Sequence, residues 1–337
     1  MKSNKPTPKQ PSTPPLRGLV IGKFYPPHRG HSYLIETALS HADTVDVLVC
    51  DHPDYRIPAT RRAEWLATLH PKATIQIIED IEQEENSEAW AAHTASFLGY
   101  TPDVVFSSED YGYAYAAYLN AKHHLVDKER QHVPISARQI RPNVHAKWEF
   151  LQPAVRAQFA KRICVLGAES TGTTTLAQAL AAHYKAPWVP EYGRYYTESF
   201  LGQKTSWNAS EFTHIAQMQQ AMERELAGNS DGLIICDTNA FATRLWHERY
   251  LGFMSDAVDA VAANDRVDLY IITDDSIPFV QDGIRDGENI RHEMHMRFVE
   301  EVIYTGIPYI VASGTVPQRI MQAAKIINTI LREKITI

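Results

Sequence analysis

His28 and His31 stand three residues apart in the string Gly22-Lys23-Phe24-Tyr25-Pro26-Pro27-His28-Arg29-Gly30-His31, directly after the apolar run Leu19-Val20-Ile21. Two imidazoles at that spacing share the first turn of a helix, where both can reach one phosphoryl group. Glycines let a phosphate chain approach the backbone, and the free N–H groups of a helix start favour an anion. The chemistry open to this string is the handling of nucleotide phosphates. A second string, Ile135-Ser136-Ala137-Arg138-Gln139-Ile140-Arg141, offers a helix-capping hydroxyl at Ser136 and a guanidinium fork at Arg141. Asp80-Ile81-Glu82 ends an expected strand, and Trp90 follows one helical stretch later. An indole can stack on a flat base or a nicotinamide ring while a carboxylate fixes its orientation. Arg61, Arg62 and Trp65 make a basic-aromatic cluster that either holds phosphate or is a solvated helix face.

The second half of the chain carries its own phosphate signal. Gly167-Ala168-Glu169-Ser170-Thr171-Gly172-Thr173-Thr174-Thr175 follows an expected strand and opens an expected helix. That is the context of a P-loop, in which backbone N–H groups cradle phosphates and a hydroxyl such as that of Thr174 binds Mg²⁺. Thr173 stands where a P-loop has lysine, and a neutral side chain cannot supply that charge to the β- and γ-phosphates. Cys236-Asp237-Thr238 ends a strand, where Asp237 can hold Mg²⁺ through water or serve only as a cap. Glu191-Tyr192-Gly193-Arg194 falls on an expected loop suited to substrate contacts, and Asp282-Gly283-Ile284-Arg285-Asp286 reads as a lid. Arg285 and Arg291 could then close over the phosphates in place of the lysine.

These residues need elements to position them. Strands are expected at Gly18–Ile21, Val45–Cys50, Thr74–Ile78 and Val104–Ser107, with helices at His31–His41, Arg61–Leu69 and Ser87–Phe97. Continuous apolar strands alternating with helices argue for a doubly wound parallel sheet with its ligand site at the strand carboxyl ends. The pattern restarts at Arg162, with strands at Ile163–Leu166, Leu233–Cys236, Leu269–Thr273 and Tyr309–Val311. Helices are expected at Thr175–His183, at Ser210–Glu225 with Ser210 as its cap, and at Glu293–Tyr304. The fold class is thus α/β in two domains, 17–155 and 160–335, joined near Leu151–Lys161 and preceded by a Pro-rich disordered tail, 1–16.

Bulk properties set the limits. The 337 residues suffice for two α/β cores, and 44% hydrophobic with 22% charged residues are globular values. A net charge of −7 argues against a general nucleic-acid binder. Cys50, Cys164 and Cys236 sit in apolar runs without metal-site spacing, as reduced core residues of a cytoplasmic protein would. No apolar stretch approaches the roughly 18 residues of a membrane span, so no membrane partner is expected. Fifteen histidines without an HExxH string do not point to a resident metal of that kind.

The string Gly22–His31 resembles the HxGH signature of nucleotidyltransferases. Together with Ile135–Arg141 it is similar to the GxFxPxHxGH and ISxxxxR motifs of nicotinamide mononucleotide (NMN) adenylyltransferases. That resemblance implies a Rossmann-like nucleotidyltransferase domain in which His28, His31, Lys23, Ser136 and Arg141 carry catalysis. Gly22, Phe24 and Gly30 would line the ATP site, while Asp80 and Trp90 would bind the nicotinamide ring. Fused to the Gly167–Thr175 loop, Glu191–Arg194, Asp237 and Asp282–Asp286, the whole resembles NadR-type proteins, whose second domain is a P-loop ribosylnicotinamide kinase. The likeness implies ATP at Gly167, Glu169, Ser170, Gly172, Thr173, Thr174, Thr175 and Arg285, with Mg²⁺ at Thr174 and Asp237. Glu191, Tyr192 and Arg194 would take the riboside. The implied function is NAD salvage: nicotinamide riboside and ATP give NMN, and NMN and ATP give NAD and pyrophosphate. Alternatives are a P-loop domain that only senses nucleotide, an NAD-responsive regulator, and an adenylyltransferase acting on another phosphorylated acceptor such as pantetheine phosphate. Some NadR proteins carry an N-terminal helix-turn-helix domain; a Pro-rich tail stands there in this chain, so no DNA-binding module is expected. Oligomeric state is left open, a homo-oligomer included.

Overall fold

The computed structural model of the chain describes residues 14–83, 85–199, 206–277 and 288–337. The expected tail up to residue 13 and the segment Asp282–Asp286, Arg285 included, lie outside them. The chain divides into two compact units, and the division interdigitates rather than falling at a single linker. One unit runs to Asn143 and regains Glu149–Gln152 and Thr336–Ile337; the other takes Val144–Trp148 and Pro153–Ile335.

In the first unit the elements are β1 (Arg17–Gly22), α1 (Arg29–His41), β2 (Thr44–Asp51), α2 (Ala59–Leu69), β3 (Thr74–Glu79), α3 (Ser87–Leu98), β4 (Val104–Ser107), α4 (Tyr111–Tyr118), β5 (Lys122–Leu125) and α5 (Ala137–Ile140). The strands pair in parallel in the order β3-β2-β1-β4-β5. The order reverses at β1, so the loops after β1 and β4 leave in opposite directions and open a crevice at their carboxyl ends. Successive residues of each central strand feed opposite faces. Val20, Val47 and Val49 pack with Ile35 and Leu66, while Leu19, Leu48 and Val105 pack with Ile78 and Tyr115. A sheet buried on both faces requires the continuous apolar runs that mark β1 and β2. The sequence reading missed α4 and β5. The edge strand β5 reads Lys-His-His-Leu, with none of the apolar character of a covered strand.

In the second unit the elements are α6 (Pro153–Phe159), β6 (Lys161–Leu166), α7 (Thr173–Tyr184), β7 (Trp188–Val189), α8 (Tyr192–Glu198), α9 (Ala209–Gly228), β8 (Leu233–Asp237), α10 (Ala240–Leu251), α11 (Asp256–Ala262), β9 (Leu269–Thr273), α12 (Arg291–Thr305), β10 (Tyr309–Ala312) and α13 (Val316–Arg332). Its parallel sheet runs β10-β9-β6-β8-β7, with every residue of the central β6 buried. Ile163, Val165, Ile235 and Ile271 meet Leu176, Leu180, Ala323 and Ile327 from α7 and α13.

Three local expectations are corrected. The stretch expected as a joining segment, Leu151–Lys161, contains α6, whose end is tied down by Arg162 donating to the carbonyls of Ala157 (2.7 Å) and Ala160 (3.0 Å). The stretch Glu191–Arg194 is not a loop: Glu191 is the cap of α8 and the next three residues are helical. Helix α9 is capped by Asn208 rather than Ser210, because Asn208 closes a reciprocal box with Glu211, whose carboxylate accepts its N–H at 2.7 Å.

Candidate active sites

At the carboxyl ends of β1 and β4 the first unit opens a cleft of about 700 Å³. Gly22, Lys23, Phe24, His28, Gly30, His31, Asp80, Trp90, Ser136 and Arg141 all line it. Four segments far apart in sequence therefore converge on one wall-to-wall site.

The loop from β1 to α1 is tightly held. Phe24 adopts φ +45° and is buried. His28 is the cap of α1; its Nδ1 accepts the Gly30 N–H at 3.1 Å, so a neutral ring carries its proton on Nε2. The imidazoles of His28 and His31 stack with centroids 3.7 Å apart, and Phe24 meets His31 edge-on at 5.0 Å. Among the described residues the buried Nδ1 of His31 has no hydrogen-bond partner. Burial, and after it the positive charge of Arg130, lowers the pKa of His31 to about 3. Burial, the neighbouring His31 and Arg130 push His28 down further still. Both rings are neutral at pH 7, and their N–H groups can serve as donors to an oxyanion.

Arg62 ties this loop to the neighbouring backbone and corrects the reading of the Arg61–Trp65 cluster. Its guanidinium is fully buried and donates to the carbonyls of Ile57 (3.0 Å), Cys50 (3.0 Å) and Lys23. It binds backbone, not phosphate. Trp65 is buried in the core, and only Arg61 is on a solvated face, paired with Glu64 at 2.9 Å. Arg141 reaches the same loop, donating to the Tyr25 carbonyl at 3.3 Å. Ser136 caps α5, and the Gln139 side-chain oxygen accepts both the N–H (2.8 Å) and the hydroxyl (3.0 Å) of Ser136. Asp80 is buried and accepts the N–H of Glu82 at 2.9 Å, while Trp90 is half-buried with His93 edge-on at 5.9 Å.

Arg130 and Glu109 also line the cleft and escaped the sequence reading, and Arg138, quoted there within its string, was given no role. Arg130 takes φ +53° in a turn whose fold depends on Asp127, which accepts N–H bonds from Gln131, His132 and Val133. Its guanidinium lies 3.6 Å from the Glu109 carboxylate. A lone arginine in a polar loop has no spacing that would single it out.

The second unit places residues 167–172 between β6 and α7. Ser170 (φ +61°) and Gly172 (φ +80°) turn the loop. Gly167 is obligatory for space, since a Cβ there would lie 2.3 Å from the Thr273 hydroxyl. The Thr171 hydroxyl bonds Ala168 O (2.7 Å) and Thr273 Oγ1 (2.6 Å), closing the loop on itself. Thr173, Thr174 and Thr175 form the first turn of α7. Asp237, at the end of β8, is 1% exposed, and neither carboxylate oxygen makes a well-formed hydrogen bond among the described residues. Burial raises its pKa to about 6; the hydroxyls of Thr174 and Thr173 and the charge of Arg194 pull the other way without cancelling it. Glu169 meets the Tyr250 hydroxyl at 3.4 Å and Arg249 at 4.0 Å. In α8, Tyr192 is held by its N–H to Gln219 (2.9 Å) and its hydroxyl to His214 (3.1 Å), and Arg194 pairs with Glu198 at 3.0 Å. Arg291 donates to the Ser170 carbonyl at 3.2 Å and so already touches the loop it was expected to cover. No cluster of three or more acidic, His or Cys ligands occurs among the described residues, and no helix there is long and apolar enough to cross a membrane.

Two parallel α/β units, the second with a glycine-bearing loop between its central strand and the following helix, define the class. Residues 162–319 match a family model described as an AAA domain. The trifunctional NAD biosynthesis/regulator protein NadR of Escherichia coli is 28% identical over 346 residues, covering 94% of this chain and 84% of that protein. Its namesake in Salmonella typhimurium is 28% identical over 313 residues, covering 85% and 76%. A crystal structure of NadR in complex with NR has a TM-score of 0.73 at 21% identity, covering 95% of this chain and 97% of that one. A second, with NAD and AMP-PNP, has a TM-score of 0.70 at 21% identity, covering 96% and 98%. The resemblance to NadR-type proteins is borne out over nearly the whole chain.

Proposed function

We propose that the chain is a bifunctional enzyme of NAD salvage. Its first unit, a Rossmann-like nucleotidyltransferase domain, joins NMN to the adenylyl group of ATP; its second phosphorylates nicotinamide riboside. The observation that carries the reading is the convergence of the His28–His31 pair, Asp80 with Trp90, and Ser136 with Arg141 on one cleft. The relatives named above, entitled for NAD biosynthesis and solved with NR, NAD and AMP-PNP, support it independently.

In the adenylyl step an NMN phosphate oxygen bonds to the α-phosphorus of ATP as the bond to the bridging oxygen breaks and pyrophosphate leaves. This chain's contribution is position and charge rather than a nucleophile. His28 and His31, neutral and stacked, present N–H donors to the α-phosphate oxygens, where charge grows. Lys23 and Arg141 neutralise the triphosphate, and Gly22, Phe24 and Gly30 shape its bed. Trp90 stacks on the nicotinamide while Asp80 fixes its carboxamide. In the kinase step the riboside 5′-oxygen attacks the γ-phosphorus and ADP leaves, with the riboside held by Glu191, Tyr192 and Arg194. Residues 167–175 cradle the phosphates. Mg²⁺ fits Asp237 and Thr174: a buried carboxylate lacking hydrogen bonds beside hydroxyls is a hard oxygen donor set. When bound, the ion would screen phosphate charge.

The test is direct. The purified full chain is incubated with nicotinamide riboside, ATP and Mg²⁺, and products are identified by mass. NMN and NAD together are expected. NAD arising only from added NMN would leave the second unit a nucleotide sensor, the reading that Thr173 in the lysine position favours.

A further inference from the structure

The P-loop of this chain has a neutral residue, Thr173, where the charge for the β- and γ-phosphates ordinarily stands. Yet a cation is built into the loop from another element. Arg319, in α13, is 1% exposed. It donates through Nη1 to the Thr171 carbonyl and through Nε to the Gly314 carbonyl, each at 2.9 Å. A Cβ on Gly172 would lie 3.7 Å from the same Nη1, so the guanidinium lies against the turn that leads into Thr173.

Two features of Arg319 exceed what a strut requires. Among the described residues no ion pair to a carboxylate is formed by it, although Asp274 acts on it from further off. Its Nη2 is buried and has no partner. A buried guanidinium with no ion-paired carboxylate, its Asp274 counter-charge lying further off, is costly, and such a cost is recovered when an anion arrives. The anion that belongs at a P-loop is a polyphosphate. Arg291 adds to the same field, donating to the adjacent Ser170 carbonyl and leaving its own buried Nε unpaired.

We propose that Arg319 is the resident cation of this lysine-less P-loop, holding the loop by its carbonyls and supplying to the bound polyphosphate the positive charge that position 173 lacks. The proposal rests on the kinase reading for its catalytic consequence, but on nucleotide binding alone for its charge. Those two can be separated by experiment.

The experiment uses the full chain and three readouts: NMN plus NAD formed from nicotinamide riboside, NAD formed from NMN, and the number of ATP sites found by calorimetric titration with Mg²⁺. Arg319→Met should cut riboside phosphorylation at least ~10²-fold, the scale of a lost transition-state electrostatic contact. NAD formation from NMN should be unaffected, and the second ATP site should weaken. The deciding variant is Thr173→Lys/Arg319→Met. A lysine at 173 restores charge at the phosphates and cannot replace the bonds to Thr171 and Gly314, so recovery of phosphorylation above the single variant supports the charge role. A folded double variant no better than Arg319→Met overturns it and leaves Arg319 a strut. Where Arg319→Met does not fold, Arg319→Lys decides, since it keeps the charge and gives up the fork. Retention of the second ATP site is expected, and its loss in a folded protein overturns the proposal. If the wild type never phosphorylates the riboside but binds two ATP, the kinase reading fails. Arg319 then stands or falls by the second site alone.

Discussion

At the scale of single residues, the stacked pair His28 and His31 sets the strongest expectations. His31→Ala should lower NAD formation from NMN by ~10²–10³, the loss typical of an oxyanion donor, with riboside phosphorylation intact. Near-normal turnover in a folded variant would remove His31 from the chemistry. The pair also ties the stability of the first unit to pH. His31 titrates at about 3 when folded and at its ordinary 6.5 when unfolded. Its contribution is full above pH 6.5 and is lost as pH falls towards 3, because the unfolded chain takes up a proton that the folded one refuses. Each such histidine contributes a slope of about 1.4 kcal/mol per pH unit in that window. Denaturant titrations between pH 7 and 4 should show it, and His31→Asn should reduce it while His28 keeps the remainder. Trp90→Ala should raise KM for NMN well beyond KM for ATP; equal effects would make Trp90 a packing residue. These positions were legible because motif spacing marks them. Arg130 and Arg319 were not, since a single arginine becomes informative only when the chain is folded around it. Arg62 misled for a related reason: helical position in α2 does not say that a guanidinium will be turned inward onto three carbonyls.

At the scale of elements, the loops proposed to position phosphate are held by steric and hydrogen-bonding constraints that can be broken one at a time. Gly167→Ala drives a Cβ to 2.3 Å from the Thr273 hydroxyl and must displace the Thr171–Thr273 bond. Loss of riboside phosphorylation with retained adenylyl transfer is expected, together with a destabilisation of roughly 1–3 kcal/mol from overpacking. Arg62→Met removes the donor for three carbonyls, the one on Cys50 buried and those on Lys23 and Ile57 partly so, and roughly 3–5 kcal/mol should be lost on chemical denaturation. An unchanged melting midpoint would show that water replaces the guanidinium without cost. The alternation of apolar strands and periodic helices made both sheets readable. What stayed hidden was polar or short: β5 with its two histidines, the two-residue β7, and α8 behind Pro190. Helix α13 did carry a signal, Thr315 with Gln318 as a capping box and Pro317 in its first turn. It was overlooked, and with it Arg319.

At the scale of the whole molecule, the two proposed chemistries are assigned to separate units and should be separable by mutation. Asp237→Asn should abolish NMN formation from the riboside while NAD formation from NMN continues. The same carboxyl ties the proposed Mg²⁺ site to pH. Burial raises its pKa to about 6 in the metal-free unit, so Asp237 takes up a proton below that value and Mg²⁺ must compete with it. Calorimetric Mg²⁺ affinity at the second unit should weaken as pH falls through 6; an affinity that does not change across that range would contradict the placement.

The order in which the chain is made runs against the order of its units. Thr336 and Ile337 belong to the first unit, where the Ile337 N–H donates to the Arg141 carbonyl at 3.1 Å. On the ribosome, every residue of the second unit is polymerised before that bond can form. The second unit is made in full before Thr336 and Ile337 appear, so the first unit, begun earlier, waits for those two residues to tie down the backbone at Arg141. Loss of Thr336 and Ile337 would then injure the half of the chain that is made first. Omitting Thr336 and Ile337 should raise KM for ATP in adenylyl transfer and spare riboside phosphorylation, with about 1 kcal/mol lost for the missing backbone bond.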